Sequence, residues 1–353
     1  MKSHTLFAFA LLLMCLALRA SAQTPDGNPS VIVTRLQFKA ETLTSYKGEY
    51  NDIWSWLPRV DFTTTKPLPS GAHFYVEVAQ PSGAPWVTLG CNRDLERVGY
   101  ECGHENEAKE KSSLTIGVVP FVIKMKSELA GTDVTLFTGR AKVEKSPSNE
   151  HGPKAAKECV YYVDQDWNLP IGMVLIDKDH LLNVRFWVRG EGIRLDPHVF
   201  YQGKEVGRLF FNGMRVFAPS CSPEIDYYPS MTVAETVPQG AKWQRMKCVI
   251  GGVAGTPIQS SFGGAVAPHA LSENNGDYEV KVLRNDKLSR SIKFIVENGK
   301  IKDNGIGTAN RLGTGTSVIV PVSILDDQDG PWDRNAWKTD AFYGHPLTGF
   351  IWP

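Results

Sequence analysis

Apolar and polar residues alternate along several segments of this chain, and this period of two constrains the fold more than any other feature. Within 181–189, Leu182, Val184 and Phe186 fall on one face of an extended segment, and residues 73–78 repeat the pattern. Because successive side chains of a strand point to opposite faces of its sheet, the alternation predicts half-buried β-strands. Long apolar stripes with the period of an α-helix are absent from the sequence.

The clearest local signal is a β-hairpin near the C-terminal end. Residues 277–283 and 290–296 both alternate, and the turn-forming sequence Arg284-Asn285-Asp286-Lys287 lies between them. This arrangement predicts two antiparallel strands joined by a tight turn. The predicted buried face carries apolar residues from both strands: Tyr278, Val280, Val282, Ile292, Phe294 and Val296.

Short alternating segments, frequent Gly and Pro turns and few helix signals predict an all-β fold of two antiparallel immunoglobulin-like β-sandwich domains. A length of 353 residues also favours two domains. The segment 146–157 contains no large apolar residue, so we interpret it as a linker between domains 23–145 and 158–302. Residues 303–353 form a C-terminal strand and an aromatic-rich tail, which we expect to pack on the domains because its rings would otherwise be exposed.

The first 22 residues have the three parts of a secretory signal peptide. Lys2 supplies the positive charge, Leu6 to Leu18 the short apolar core, and Ala20 to Ala22 the small-residue cleavage site. We expect the mature chain to begin at Gln23 and to be secreted or periplasmic. The apolar core is too short for a membrane anchor, so no membrane insertion is expected.

Export makes disulfides possible, and five cysteines follow the predicted signal peptide. Cys91 and Cys102 enclose a short polar loop between strand-like segments, a spacing typical of a cross-linked hairpin. Cys221 and Cys248 are the next plausible pair, which leaves Cys159 free, although the other pairings of these three cysteines stay open. No metal site is expected at Cys91 and Cys102, since these two cysteines and the nearby His104 are an incomplete zinc set.

Composition and motifs exclude some function classes. Lys and Arg total 38 and so do Asp and Glu, so a general attraction to nucleic acid is not expected. The local motifs of serine hydrolases, zinc proteases and nucleotide-binding loops are absent, and no cofactor is expected. A glycosidase stays open, because its carboxylates can be distant in sequence. The acidic run Asp326 to Asp333 fails the EF-hand spacing; a polar turn is favoured, and a non-standard ion site is left open.

The outward face of the strand predicted over 181–189 is the first candidate binding surface. Arg185, Trp187 and Arg189 would lie on it two residues apart, and an aromatic ring flanked by charged donors suits a sugar. The alternative is that this face packs against the other domain or the aromatic tail. Trp54 and Trp56 form a second aromatic cluster with the same two interpretations.

Three stretches resemble a group of uncharacterised secreted bacterial β-sandwich proteins: NLPIG (168–172), GDYEVKVLRNDKLSRSIKF (276–294) and DGPWDRNAWKTDAFYGHPLTGF (329–350). The resemblance implies an exported bacterial β-protein and assigns no catalytic residue. We therefore expect a binding or recognition protein of the cell envelope or extracellular space, with a glycan or a protein as its ligand. The alternative is a carbohydrate-active hydrolase with an atypical carboxylate site.

Overall fold

The chain is all-β, as predicted, with only short helical turns between its strands. The computed structural model describes residues 27–45, 53–94, 99–103, 111–147, 159–190, 194–207, 209–211, 214–217, 220–224, 243–255 and 269–353. The predicted signal peptide lies outside the described residues. The helical turns are Val33–Arg35, Asp166–Asn168, Ile306–Ala309, Ala336–Lys338 and Ala341–Gly344.

The first sheet has eight antiparallel strands. They are β1 (Gln37–Ser45), β2 (Ile53–Phe62), β3 (Ala72–Ala79), β4 (Pro85–Asp94), β5 (Gly99–Gly103), β6 (Gly117–Ser127), β7 (Thr132–Pro147) and β8 (Cys159–Val163). Their order is β1-β2-β5-β4-β3-β6-β7-β8, and the sheet curls until its edges meet. At that seam the Tyr161 N–H of β8 donates to Thr42 Oγ1 of β1 at 2.9 Å.

The second sheet has eleven strands in the order β12-β11-β18-β19-β21-β9-β10-β16-β15, with β17 beside β16 and β20 beside β19. Its strands are β9 (Ile171–Ile176), β10 (Leu181–Arg189), β11 (Leu195–Tyr201), β12 (Lys204–Val206), β15 (Ser220–Pro223), β16 (Trp243–Ala254), β17 (His269–Ala270), β18 (Gly276–Arg284), β19 (Lys287–Glu297), β20 (Lys300–Ile301) and β21 (Val318–Ile324). Between β12 and β15 in the chain, β13 (Leu209–Phe211) and β14 (Met214–Phe217) pair as a separate ribbon.

Both sheets are therefore nearly closed barrels. In the second sheet β11 lies against β15, which brings opposite ends of the strand order together. A single sheet that curls on itself encloses its core without a second sheet facing it. The finer prediction of two immunoglobulin-like sandwiches is not confirmed.

The predicted hairpin is confirmed as β18 and β19. Asn285 and Asp286 have φ angles of 51° and 64°, the left-handed backbone of a tight hairpin turn. All six apolar residues expected on the buried face are buried. The alternation at 73–78 also predicts the buried face correctly, because Phe74, Val76 and Val78 lie in the core of the first sheet.

The first sheet extends past the predicted linker 146–157. Strand β8 pairs with β7 in the register Ser146↔Val160, so residues on both sides of that segment belong to one sheet. The change from the first sheet to the second therefore falls after Val163, because backbone pairing holds β8 to β7.

The chain after β21 returns to the first sheet. The hydroxyl of Tyr343 accepts the backbone N–H of Phe38 at 2.9 Å, and Phe342, Leu347 and Phe350 belong to the same core cluster as the first sheet. Residues 325–353, which we call the tail, thus reach the first sheet through their C-terminal part, while β21 lies inside the second.

The structure forms both expected disulfides, Cys91–Cys102 and Cys221–Cys248, and leaves Cys159 free. Each disulfide joins directly opposed residues of neighbouring antiparallel strands. Disulfides are typical of proteins from an oxidising compartment. None of the helical turns in the described part of the chain has the length and apolar character needed to cross a membrane.

Candidate functional site

Strand β10 carries the first predicted binding surface, and both of its faces are covered. Trp187 is only 5% exposed, so its ring does not form an open platform in this structure. The Arg185 guanidinium lies 3.1 Å from the Glu224 carboxylate, and both side chains are largely buried. Period-two alternation predicts which residues share a face, but it does not show whether that face stays open to water.

Arg189, the third residue of this surface, contacts the tail and the junction between the sheets. Its backbone N–H donates to Asp329 Oδ1 at 2.9 Å, and its side chain donates to the Pro331 carbonyl. The guanidinium lies 3.8 Å from Asp166 Oδ1 and stands 4.8 Å from the centre of the Trp243 ring. This placement matches the alternative interpretation, in which the face packs against the tail.

The second predicted aromatic cluster lies in the first sheet. Trp56 is fully buried, donates from Nε1 to the Thr115 carbonyl at 2.9 Å and packs edge-on against Trp86 with ring centres 4.9 Å apart. Trp54 belongs to β2, but its side chain lies outside the described part of the structure. Trp56 is thus a core residue of the first sheet, whereas Arg185, Trp187 and Arg189 belong to the second.

Two carboxylates of the tail's acidic run, Asp326 and Asp329, are paired with arginines. Asp329 is buried and accepts from Arg284 Nη1 at 2.8 Å and from Arg290, while Asp326 Oδ1 lies 3.3 Å from Arg290 Nη1. These guanidinium groups occupy the positions that a cation would take, and they bind the tail to the β18–β19 hairpin. Among the residues that the structure describes, no group of His, Cys, Asp and Glu has the arrangement of a metal site.

A cleft opens where β7, the segment after β8 and the tail meet. We call it the junction cleft. Its enclosed volume is about 20 Å³, which is room for a water or two and not for a sugar ring. Such meeting points of structural units commonly form binding sites. The residues that line it are Val118, Arg140, Ala141, Lys142, Asp164, Asp166, Trp167, Ala336, Asp340 and Tyr343.

Two cations of β7 stand at the mouth of the junction cleft. Lys142 Nζ lies 2.7 Å from Asp164 Oδ2 and 2.9 Å from Glu144 Oε1. Partial burial works against the charged amine, but these two hydrogen bonds outweigh it and raise the pKa of Lys142. Arg140 lies 3.3 Å from Asp340 Oδ1 and donates to the Thr339 carbonyl at 2.9 Å. Both cations are therefore held in place while remaining partly exposed.

Asp166 lies at the inner end of the cleft and connects three parts of the chain. Its carboxylate accepts the Asp333 backbone N–H of the tail at 2.8 Å and the Trp243 Nε1–H of β16 at 3.2 Å. Burial raises the pKa of Asp166, although these hydrogen bonds and Arg189 act in the opposite direction. A buried carboxyl group with a raised pKa in a cleft is a common property of functional sites.

Sequence reasoning did not find this cleft. Arg140, Asp166 and Asp340 come from distant parts of the chain, and only tertiary packing brings them together. The one local signal is the spacing of Asp164 and Asp166, two residues apart at the end of β8.

No family model matches the chain, and no curated protein matches it in sequence.

Proposed function

We propose that this chain is an exported bacterial binding or recognition protein of the cell envelope or extracellular space, with a glycan or a protein as its ligand. The observation that carries the proposal is the mouth of the junction cleft, where the partly exposed side chains of Arg140, Lys142 and Asp340 can contact a ligand too large to enter the cleft. Its carboxylates already accept hydrogen bonds or ion pairs from the protein: Asp164 from Lys142, Asp340 from Arg140, and Asp166 from Asp333 and Trp243. Groups committed in this way are less available to take up or give a proton during a reaction.

Three observations support the proposed location. The two disulfides fit an oxidising compartment, and the N-terminal 22 residues have the pattern of a secretory signal peptide. The third is the resemblance of three stretches to uncharacterised secreted bacterial β-sandwich proteins, and we place the chain in that group as part of the same proposal.

Tryptophan fluorescence tests the proposal directly, because Trp167 lines the cleft. The purified protein is titrated with soluble polysaccharides, peptidoglycan fragments and peptides, and new reducing ends are assayed in parallel. We expect a saturable change without new reducing ends. Arg140→Gln should weaken the binding that this change reports. Lys300→Gln, at an exposed position on β20 of the second sheet, should leave it unaltered. A flat response to the whole panel contradicts the proposal.

A carbohydrate-active hydrolase is the second candidate, and Asp166 is the observation that favours it. A carboxyl group whose pKa is raised by burial can act as a general acid, and Asp164 and Asp340 line the same cleft, which would have to widen before a sugar could reach Asp166. This function requires new reducing ends from one of the polysaccharides. Their release should be lost in Asp166→Asn and retained in Asp327→Asn, which changes an exposed tail residue.

A further inference from the structure

The first sheet presents a row of exposed aliphatic residues beside the junction cleft. Leu114, Ile116 and Val118 are 58%, 41% and 47% exposed, and Pro120 continues the row. We call these four residues the aliphatic row. Val118 and Pro120 are alternate positions of β6 and share its outward side, and Leu114 and Ile116 lie in the segment that leads into the strand. A contiguous group of exposed apolar side chains indicates an interaction surface, whereas single ones do not.

The chemistry of this row favours a polypeptide over a sugar. The other exposed large apolar residues of the described chain are Leu129, Leu288, Ile295, Leu325 and Ile351. All of these, like the row itself, are aliphatic, and the described aromatic side chains are all buried or half-buried. Sugars use exposed rings, whereas aliphatic side chains pack against those of another polypeptide. Side chains on one face of an extended peptide repeat every two residues, which is also the spacing of Val118 and Pro120 on β6.

The row is continuous with the junction cleft. Val118 belongs to both, and the strand register places Val118 opposite Lys142 and Pro120 opposite Arg140. Carboxylates outnumber cations on this surface even when Arg189, next to Asp166, is counted. The carboxylates are Glu144, Asp164, Asp166 and Asp340, and the cations are Arg140, Lys142 and Arg189. The remaining negative charge is complementary to a basic side chain.

We propose that the aliphatic row and the mouth of the junction cleft together bind an extended polypeptide segment that carries alternate aliphatic residues and a Lys or Arg. The aliphatic side chains pack along Leu114, Ile116 and Val118, and the basic side chain lies at the carboxylates of the cleft. This inference rests on the proposed binding function and narrows its ligand to a protein.

Selection from a displayed library of random linear peptides tests the inference with the purified protein as bait. We expect enriched peptides with alternate aliphatic residues and at least one Lys or Arg, and their affinity should fall as salt rises. The double variant Ile116→Thr/Val118→Thr should weaken an enriched peptide by about tenfold or more. Threonine retains the β-branched shape that suits a strand, so the fold is preserved.

Leu129→Thr is the matched control. Leu129 is 82% exposed in the turn at the opposite end of β6, so the same chemical change there should leave peptide affinity and melting temperature unchanged. Equal affinity of the double variant and this control would overturn the inference, as would enriched peptides without basic residues.

The remaining outcomes separate this inference from the proposed function. If glycans bind and no peptide is enriched, the polypeptide ligand is wrong while a binding function stands. If neither class binds, both are wrong. If the protein is a dimer by light scattering and Ile116→Thr/Val118→Thr makes it a monomer, the row contacts a second copy of this chain, which also overturns the inference.

Discussion

Asp329 shows how a single residue connects the tail to the second sheet. Its side chain is 1% exposed and faces the guanidinium groups of Arg284 and Arg290. Removing one partner of a buried ion pair leaves the other charge desolvated without compensation. We expect Asp329→Asn to lower the free energy of unfolding by about 3 kcal/mol or more, measured by urea denaturation. The exposed change Asp327→Asn should alter it by less than about 0.5 kcal/mol, and equal effects would contradict the expectation.

His269 is a second residue that leads to a prediction, here about how the stability of the fold depends on pH. The residue is 9% exposed, with Nε2 2.7 Å from the Tyr278 hydroxyl, and burial lowers the pKa of His269. The unfolded chain therefore takes up a proton near pH 6.5, before the folded chain does. The stability that comes from the neutral ring is complete above that pH and is lost as pH falls from there toward the folded-state pKa.

Urea midpoints measured between about pH 7 and pH 5 test this linkage. We expect His269→Gln to lose less stability across that range than the unchanged protein does. His180→Gln, in an exposed turn, should retain the original slope. If both variants keep that slope, the burial of His269 does not control the acid side of the stability curve.

At the scale of elements, the β18–β19 turn offers a stabilising substitution. Asp286 has a φ of 64°, a backbone conformation that costs a non-glycine residue free energy and costs glycine almost none. We expect Asp286→Gly to raise the free energy of unfolding by about 0.5–1 kcal/mol in urea denaturation. Asp277→Gly, at an exposed position inside β18, should instead lower the free energy of unfolding, since glycine weakens a strand interior. A loss of stability in Asp286→Gly would contradict the turn geometry.

Elements with local signals could be predicted from the sequence. Alternation gave the strands around Phe74, Val184 and Tyr278, and the turn residues gave the β18–β19 hairpin. The closure of each sheet could not be predicted, because it depends on contacts distant in sequence, such as that of Thr42 on β1 with Tyr161 on β8. Period-two alternation is the same in a curled sheet and in a sandwich.

The candidate site was hidden from the sequence for the same reason. Arg140 and Asp340 are 200 residues apart, and Asp166 accepts a hydrogen bond from Asp333, 167 residues later. Trp187 was a candidate surface ring, with packing against the other domain or the tail as the alternative, and the strand pattern does not decide between the two. Coverage of that side arises from tertiary packing and has no signature in the strand itself.

At the scale of the whole molecule, the tail connects the two sheets through different residues. Asp329 binds the β18–β19 hairpin, whereas Phe342 and Tyr343 pack in the core of the first sheet. Both aromatic residues have positive φ angles, 45° and 63°, which cost about 1–3 kcal/mol each in residues other than glycine. Such a conformation persists because packing fixes it: Tyr343 lies edge-on to Phe121 with ring centres 5.7 Å apart.

Because these contacts are separate, loosening one end of the tail should affect one sheet more than the other. Tyr343→Phe keeps the ring but removes the hydroxyl that accepts the Phe38 N–H, leaving a buried donor without its partner at a cost of about 1–3 kcal/mol. In hydrogen–deuterium exchange we expect faster exchange of β1, while the β18–β19 hairpin, still bound to Asp329, keeps its protection. Tyr100→Phe, whose ring packs on Phe62 in the same core, should leave β1 unchanged. Equal loss of protection in both sheets would instead show that the tail unites them into one cooperative unit, because loosening at Phe38 would then extend to the hairpin.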